Sequence, residues 1–261
     1  MSDTAIYPVP EHWQNSAWID AATYREMYRQ SIEAPDAFWS QQALQFLQWQ
    51  QPWQSVCDAD FSRGRAAWFS GGKLNVAVNC IDRHLPERAA QTALIWEGDD
   101  PEQELHISYA MLHDKVSRLG NLLRQRGVAK GDRVCIYMPM IPEAIYAMLA
   151  CARIGAVHSV VFGGFSPEAL KDRINDSDCR VVMTADEGLR GGKTVPLKAN
   201  ADRALEQCDR VHSCIVVRRT GAAIAWTDDR DIDYASATEA LGGVCEAQWM
   251  DAEDPLFVLY T

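Results

Sequence analysis

Chemistry in this chain concentrates in two glycine-bearing segments, Phe162-Gly163-Gly164-Phe165 and Asp186-Glu187-Gly188-Leu189-Arg190-Gly191-Gly192-Lys193-Thr194. Paired glycines lack the Cβ that keeps a ligand off the backbone, and they expose amide N–H donors. Phe162 or Phe165 offers a flat face on which a base can stack. Arg190 and Lys193 add two cations in a chain that is otherwise acidic. A stacking face beside cations and exposed amides suits a ligand with a base and several phosphates. The same spacing also fits glycines that only turn the chain and cations that are merely solvated.

Other chemistries find little support. Gly188 to Thr194 resembles the phosphate-binding loop GxxxxGK[ST], but its first glycine is one residue too close. Val195 precedes Pro196, so a helix there starts too late to aim its N-terminus at a phosphate. Asp186 is the one strand-end aspartate placed for magnesium, and it belongs to the same segment. The histidines are scattered, without HExxH or Cys/His zinc spacing, and no GxSxG elbow occurs. Asp82-Arg83-His84 reads as a structural salt-bridge knot. No catalytic residue and no metal ligand is assigned.

The elements that must position these segments follow a regular pattern. Thr92 to Trp96 and Leu105 to Ser108 bracket Gly98-Asp99-Asp100-Pro101 as a hairpin. Ser108 caps a helix that carries Met111, Leu112, Val116, Leu119, Leu122 and Leu123 and stops at Gly127. Then come a strand from Arg133 to Met138, a helix from Pro142 to Ile154 and a strand from Val157 to Val161. A helix opened by Ser166-Pro167-Glu168 runs to about Asn175. A strand from Arg180 to Ala185, a helix from Pro196 to about Gln207 and a strand from Ser213 to Val217 complete the run. Such alternation implies right-handed crossovers and an α/β fold with a mostly parallel sheet flanked by helices. Both glycine segments then fall beyond strand carboxyl ends, where ligands bind in open sheets.

Before this domain lies a tryptophan-rich helical extension with Trp13, Trp18, Trp39, Trp49, Trp53 and Trp68. Tyr24, Met27, Tyr28 and Ile32 have helical spacing. So do Phe38, Trp39, Leu44, Phe46, Leu47 and Trp49, behind Pro35 and an Asp36 able to cap. These predict two amphipathic helices with packing aromatics. The boundary between extension and domain is expected near residue 85, giving segments 1–85 and 86–261.

A formal net charge of −11 argues against broad binding to nucleic acid or anionic membrane. No apolar run approaches the roughly 20 residues of a membrane span. Met1 to Glu11 lacks the apolar core of a signal peptide. The eight cysteines form no CxxC pair and read as small, buried and reduced, which fits the cytoplasm. The closing run, Pro255-Leu256-Phe257-Val258-Leu259-Tyr260-Thr261, reads as a strand entering a sheet without leaving it. The expectation is a truncated chain with an unpaired apolar edge.

Several longer motifs carry a family resemblance. Trp68-Phe69-Ser70-Gly71-Gly72-Lys73-Leu74-Asn75 and Asn79-Cys80-Ile81-Asp82-Arg83-His84 resemble the amino-terminal part of the AMP-forming acetyl-CoA synthetases. So do Gly131-Asp132-Arg133-Val134, Tyr137-Met138-Pro139-Met140, the stretch from Gly155 to Ser166, and Ala185 to Lys193. The resemblance spans essentially the whole chain. It implies a ligase in which acetate and ATP, with Mg2+, give acetyl-adenylate, and the thiol of CoA then displaces AMP. It further implies CoA contacts at Arg190, Gly191, Gly192 and Lys193, with arginine binding phosphate through a planar fork and lysine as a point charge. CoA adenine is implied near Phe162, Gly163 and Gly164. In the family, the run at Tyr260 continues into a Ser/Thr/Gly-rich loop that grips the ATP phosphates. The ATP and Mg2+ sites are therefore expected beyond this chain. An amino-terminal fragment of this kind is expected to be inactive alone, since adenylation needs groups that stabilise developing charge. Acetate-dependent pyrophosphate exchange by the 261-residue chain would contradict that.

Two alternatives stay open at this level. One is a propionate- or other short-chain acyl-CoA synthetase fragment. The other is a stand-alone CoA- or nucleotide-binding α/β module. The expected partners are small molecules, namely CoA, ATP and acetate. Oligomeric state is not legible.

Overall fold

The structure is a computed structural model and describes residues 7–260. Thr261, and residues 1–6 of the segment read against a signal peptide, lie outside them. The chain divides into two compact units. One is built on residues up to Leu47 and on Trp53–Ser70; the other on Gln48–Pro52 and residues from Gly71 onward.

The smaller unit holds helices Glu11–Ser16, Ala21–Glu33 and Pro35–Phe46 and an antiparallel hairpin of Ser55–Asp60 with Arg65–Ser70. Asp20 caps the second helix by accepting from the Thr23 N–H at 2.7 Å. Asp36 does not cap the third. Proline is favoured at a first helical position, the helix starts at Pro35, and Asp36 falls inside its first turn. The aromatics differ from the packing expectation. Phe38 is buried, and Trp53 meets Phe69 edge-on at 5.0 Å. Trp13, Trp18, Tyr24 and Tyr28 are exposed, and helix Ala21–Glu33 buries no residue.

The larger unit contains the sheet. Its strands are β1 (Arg133–Met138), β2 (Val157–Phe162), β3 (Val181–Ala185), β4 (Ser213–Val217), β5 (Asp231–Asp233) and β6 (Phe257–Val258). They lie in the order β5-β4-β3-β1-β2-β6, and every pairing is parallel. Val134, Cys135, Ile136, Tyr137, Val181, Val182, Met183, Cys214 and Ile215 are buried at the centre of the core. Their near-continuous apolar runs suit strands covered on both faces. The edge strand β6 has only two residues, opposite His158 and Ser159.

Helices α1 (Tyr109–Gln125), α2 (Pro142–Ile154), α3 (Pro167–Asp176), α4 (Leu197–Leu205) and α5 (Tyr234–Glu239) flank the sheet. Helix α1 packs on α2, and α3 packs on α4. Right-handed crossovers account for this pairing. The step from β1 to β2 and the steps from β2 to β3 and β3 to β4 run in opposite directions across the sheet, so their helices cover opposite faces. Local signals set the helix limits. Ser108 and Ser166 cap α1 and α3 through Met111 and Ala169 N–H groups, and Gly155 ends α2 at φ +76°. The hairpin before α1 forms from Thr92–Glu97 and Glu104–Ser108. Among the described residues, no helix is long and apolar enough to cross a membrane.

Candidate functional site

The chain leaves the carboxyl end of β1 toward β2 on one flank. From β3 it moves to β4 on the other. Adjacent strands whose connections part in this way open a crevice between their carboxyl ends. A cleft of about 220 Å³ lies there. Met138, Pro139, Gly163, Gly188 and Leu197 line it together with Phe162, Gly164, Arg190, Trp96 and Arg219.

The glycines are set by close packing. A Cβ on Gly163 would lie 3.2 Å from the Met138 carbonyl oxygen, and one on Gly188 would lie 3.1 Å from Pro139 Cβ. A Cβ on Gly164 would meet the Phe162 ring at 2.5 Å. The turn itself is anchored from below. The Tyr137 hydroxyl donates to the Phe165 carbonyl at 2.8 Å and receives the Asn200 side-chain amide at 3.3 Å. Burial raises the Tyr137 phenol above its ordinary value, so it stays a donor. Phe162 and Phe165 meet edge-on at 5.8 Å.

The second segment is not an open loop. Gly188–Arg190 and Lys193–Val195 pair antiparallel, with Arg190 opposite Lys193. The two-residue connection, Gly191 at φ +54° and Gly192 at φ +71°, has the left-handed backbone that such tight turns require. The guanidinium carbon of Arg190 sits 4.7 Å from the Phe162 ring centre, within cation–π range. Of the residues singled out in the sequence, Phe162, Gly163, Gly164 and Arg190 line the cleft. Gly191 and Gly192 form the hairpin tip. Lys193 is exposed, and its side chain lies outside the lining.

Asp186 stands outside the cleft lining, its carboxylate taken up by the backbone N–H groups of Glu187, Arg219, Thr220 and Gly221. Burial pushes the carboxyl upward, but these bonds outweigh it and hold the group below its ordinary value. Among the described residues, no group of three or more His, Cys, Asp and Glu side chains is placed to hold a metal.

Trp96 and Arg219 are among the lining residues that sequence reasoning does not single out. The Trp96 indole donates to the Met140 carbonyl at 2.7 Å, and the Arg219 guanidinium carbon lies 5.0 Å from the Trp96 ring centre. Their only sequence signal was a tryptophan at the end of a hairpin strand. Asp82, of the Asp82-Arg83-His84 cluster, is half-buried and accepts from the buried Arg153 at 2.7 and 2.9 Å, so its ion pair reaches a distant helix rather than its neighbours in sequence.

The crevice, walled by glycines and bearing cations, lies at the switch point of a parallel α/β sheet, the place where ligands bind in open sheets. Residues 81–261 match the AMP-binding enzyme family, and residues 24–80 match the acetyl-coenzyme A synthetase N-terminus. The chain belongs to the AMP-binding enzyme family. It is 62% identical, over all of its length and 40% of the relative's, to the acetyl-coenzyme A synthetase of Saccharophagus degradans. It is 58% identical, with the same coverage of 100% and 40%, to acetyl-coenzyme A synthetase 2 of Pseudomonas aeruginosa. The chain thus spans about 40% of the length of the curated relatives it matches. Among solved structures it is similar to the acetoacetyl-CoA synthetase from Streptomyces lividans. The TM-score is 0.83 and the identity 27%, covering 91% of this chain and 36% of that one.

Proposed function

We propose that this chain is the amino-terminal part of an AMP-forming acetate–CoA ligase and that its cleft holds the nucleotide end of coenzyme A. In that reaction acetate attacks the α-phosphate of ATP, with Mg2+, and pyrophosphate leaves. The CoA thiolate then attacks the acetyl-adenylate carbonyl, giving acetyl-CoA and AMP. The division of labour assigns 1–85 to an extension and 86–261 to the first part of the adenylation domain. ATP and Mg2+ would be gripped by residues outside this stretch. A cytoplasmic setting suits the eight free cysteines, six of them buried.

The observation that carries the reading is the juxtaposition of Arg190 and Phe162 at 4.7 Å beside Gly163 and Gly164. A ring, a guanidinium and Cβ-free backbone share one rim. They suit an adenine with phosphates attached, for which arginine supplies paired, charge-assisted bonds. The names of relatives 58–62% identical over the whole chain support the acetate ligase in particular. The test is equilibrium titration of CoA against the protein and its Arg190→Ala, Lys193→Ala double variant. Loss of roughly tenfold or more in affinity is expected, the scale of one charge-assisted bond. Unchanged affinity overturns the reading.

A further inference from the structure

Glu97 and Asp99 line the same cleft as Arg190. Counting Arg190 alone, the lining sets two carboxylates against one guanidinium and disfavours an anion. Arg219 makes it two against two. The setting of Arg219 repeats that of Arg190. Each guanidinium rests near an aromatic ring, Arg190 by Phe162 and Arg219 by Trp96. Neither side chain forms an ion pair among the described residues. The one side-chain bond of Arg219 goes to a neutral acceptor, Gln103 Oε1, at 2.7 Å. Four of the five guanidinium N–H donors therefore keep no protein acceptor. Its backbone is pinned as well, because the Arg219 N–H donates to Asp186 at 2.8 Å and those of Thr220 and Gly221 to the same carboxylate. A cation restrained on a ring before its ligand arrives loses less rotamer freedom on binding.

We propose that Arg219 is a second ligand-contacting cation of this cleft, donating to a phosphate of the anionic ligand together with Arg190. Trp96 and Asp186 are its positioning residues. The inference rests on the reading of the cleft as a CoA site and assigns that site its further cation.

CoA affinity is measured as a function of sodium chloride concentration for the protein and for Arg190→Ala, Arg219→Gln and Arg219→Lys. Arg219→Gln is expected to weaken CoA roughly tenfold or more and to flatten the salt dependence, since one screened ionic contact is gone. Arg219→Lys is expected to restore part of both, having charge without the fork. CoA affinity and salt dependence unchanged in Arg219→Gln, with Arg190→Ala weakened, overturn the Arg219 assignment and leave the CoA reading standing. Weaker binding with the parent's salt dependence marks a merely structural role and also overturns it. No effect of either arginine, or no CoA binding by the parent, overturns both.

Discussion

The ammonium of Lys198 lies 2.8 Å from the carboxylate of Asp231, and both side chains are buried. Asp202 takes the same ammonium at 2.7 Å, and Arg230 bridges both carboxylates. Two cations and two anions thus close on themselves inside the fold. Lys198 follows Leu197, which lines the cleft, and its backbone N–H donates to the Asp186 carbonyl at 3.1 Å. The network therefore joins the start of α4 to β5 beneath the site. Removing one partner of a buried pair leaves an uncompensated charge and costs about 3–5 kcal/mol. Lys198→Met is expected to lower unfolding stability by that order in urea titrations. A loss under ~1 kcal/mol would show that Arg230 alone neutralises the two aspartates.

Asp186 predicts an acid limb. Its carboxyl is lowered below the ordinary 3.8 by backbone donors that outweigh burial. A group depressed in the folded state stabilises above its unfolded pKa and loses that stabilisation as pH falls through its folded value. Unfolding stability should therefore drop below about pH 4 in part through this group. Asp186→Asn is expected to be less stable at pH 7 and to show a shallower decline as pH falls below about 4. An identical acid limb in the variant would remove Asp186 from the account.

Tyr137→Phe deletes the hydroxyl under the Phe162–Phe165 turn. The Phe165 carbonyl and the Asn200 amide lose a partner together. Both bonds are only part-buried, so their loss costs about 0.5–1.5 kcal/mol, the net worth of an ordinary hydrogen bond. The variant is expected to lose stability of that order and to bind CoA more weakly, because the turn carrying Phe162 loosens. Full affinity alongside the stability loss would show that the turn holds its shape without this anchor.

Gly188→Ala tests the close packing of the cleft wall. The added methyl would sit 3.1 Å from Pro139 Cβ and 3.2 Å from Leu197 Cδ1. Overpacking of this kind costs about 1–3 kcal/mol. Thermal unfolding and CoA titration should both register the change. Neither moving would show that Leu197 yields at no cost.

The central strands and their helices are legible in the sequence because each signal is strong and local. Strand β1 is an apolar run after a glycine turn, and α2 carries proline at its start and Gly155 past its end. Strand β5 is not legible. Asp231-Ile232-Asp233 has one apolar residue, and only pairing with Cys214, Ile215 and Val216 makes it a strand. The Gly188–Val195 hairpin fails for a related reason, since strands of three residues are too short to show period-two patterning. The Gly191-Gly192 dipeptide was the available clue. Arg219 is less legible still. It belongs to no motif, and the fold alone brings it to Gln103, 116 residues earlier in the chain. Arg190 and Phe162, by contrast, sit in segments whose glycines mark them.

The sheet order has a consequence for how the molecule is made. Its first strand in the chain, β1, occupies an interior position, with β2 on one flank and β3, β4 and β5 following in turn on the other. A ribosome releasing this polypeptide therefore delivers each strand through β5 to a neighbour that has already emerged, so assembly can spread outward from the middle while synthesis is still under way. Strand β6 follows the same rule last, crossing back to the outer side of β2 after the opposite flank has been laid down.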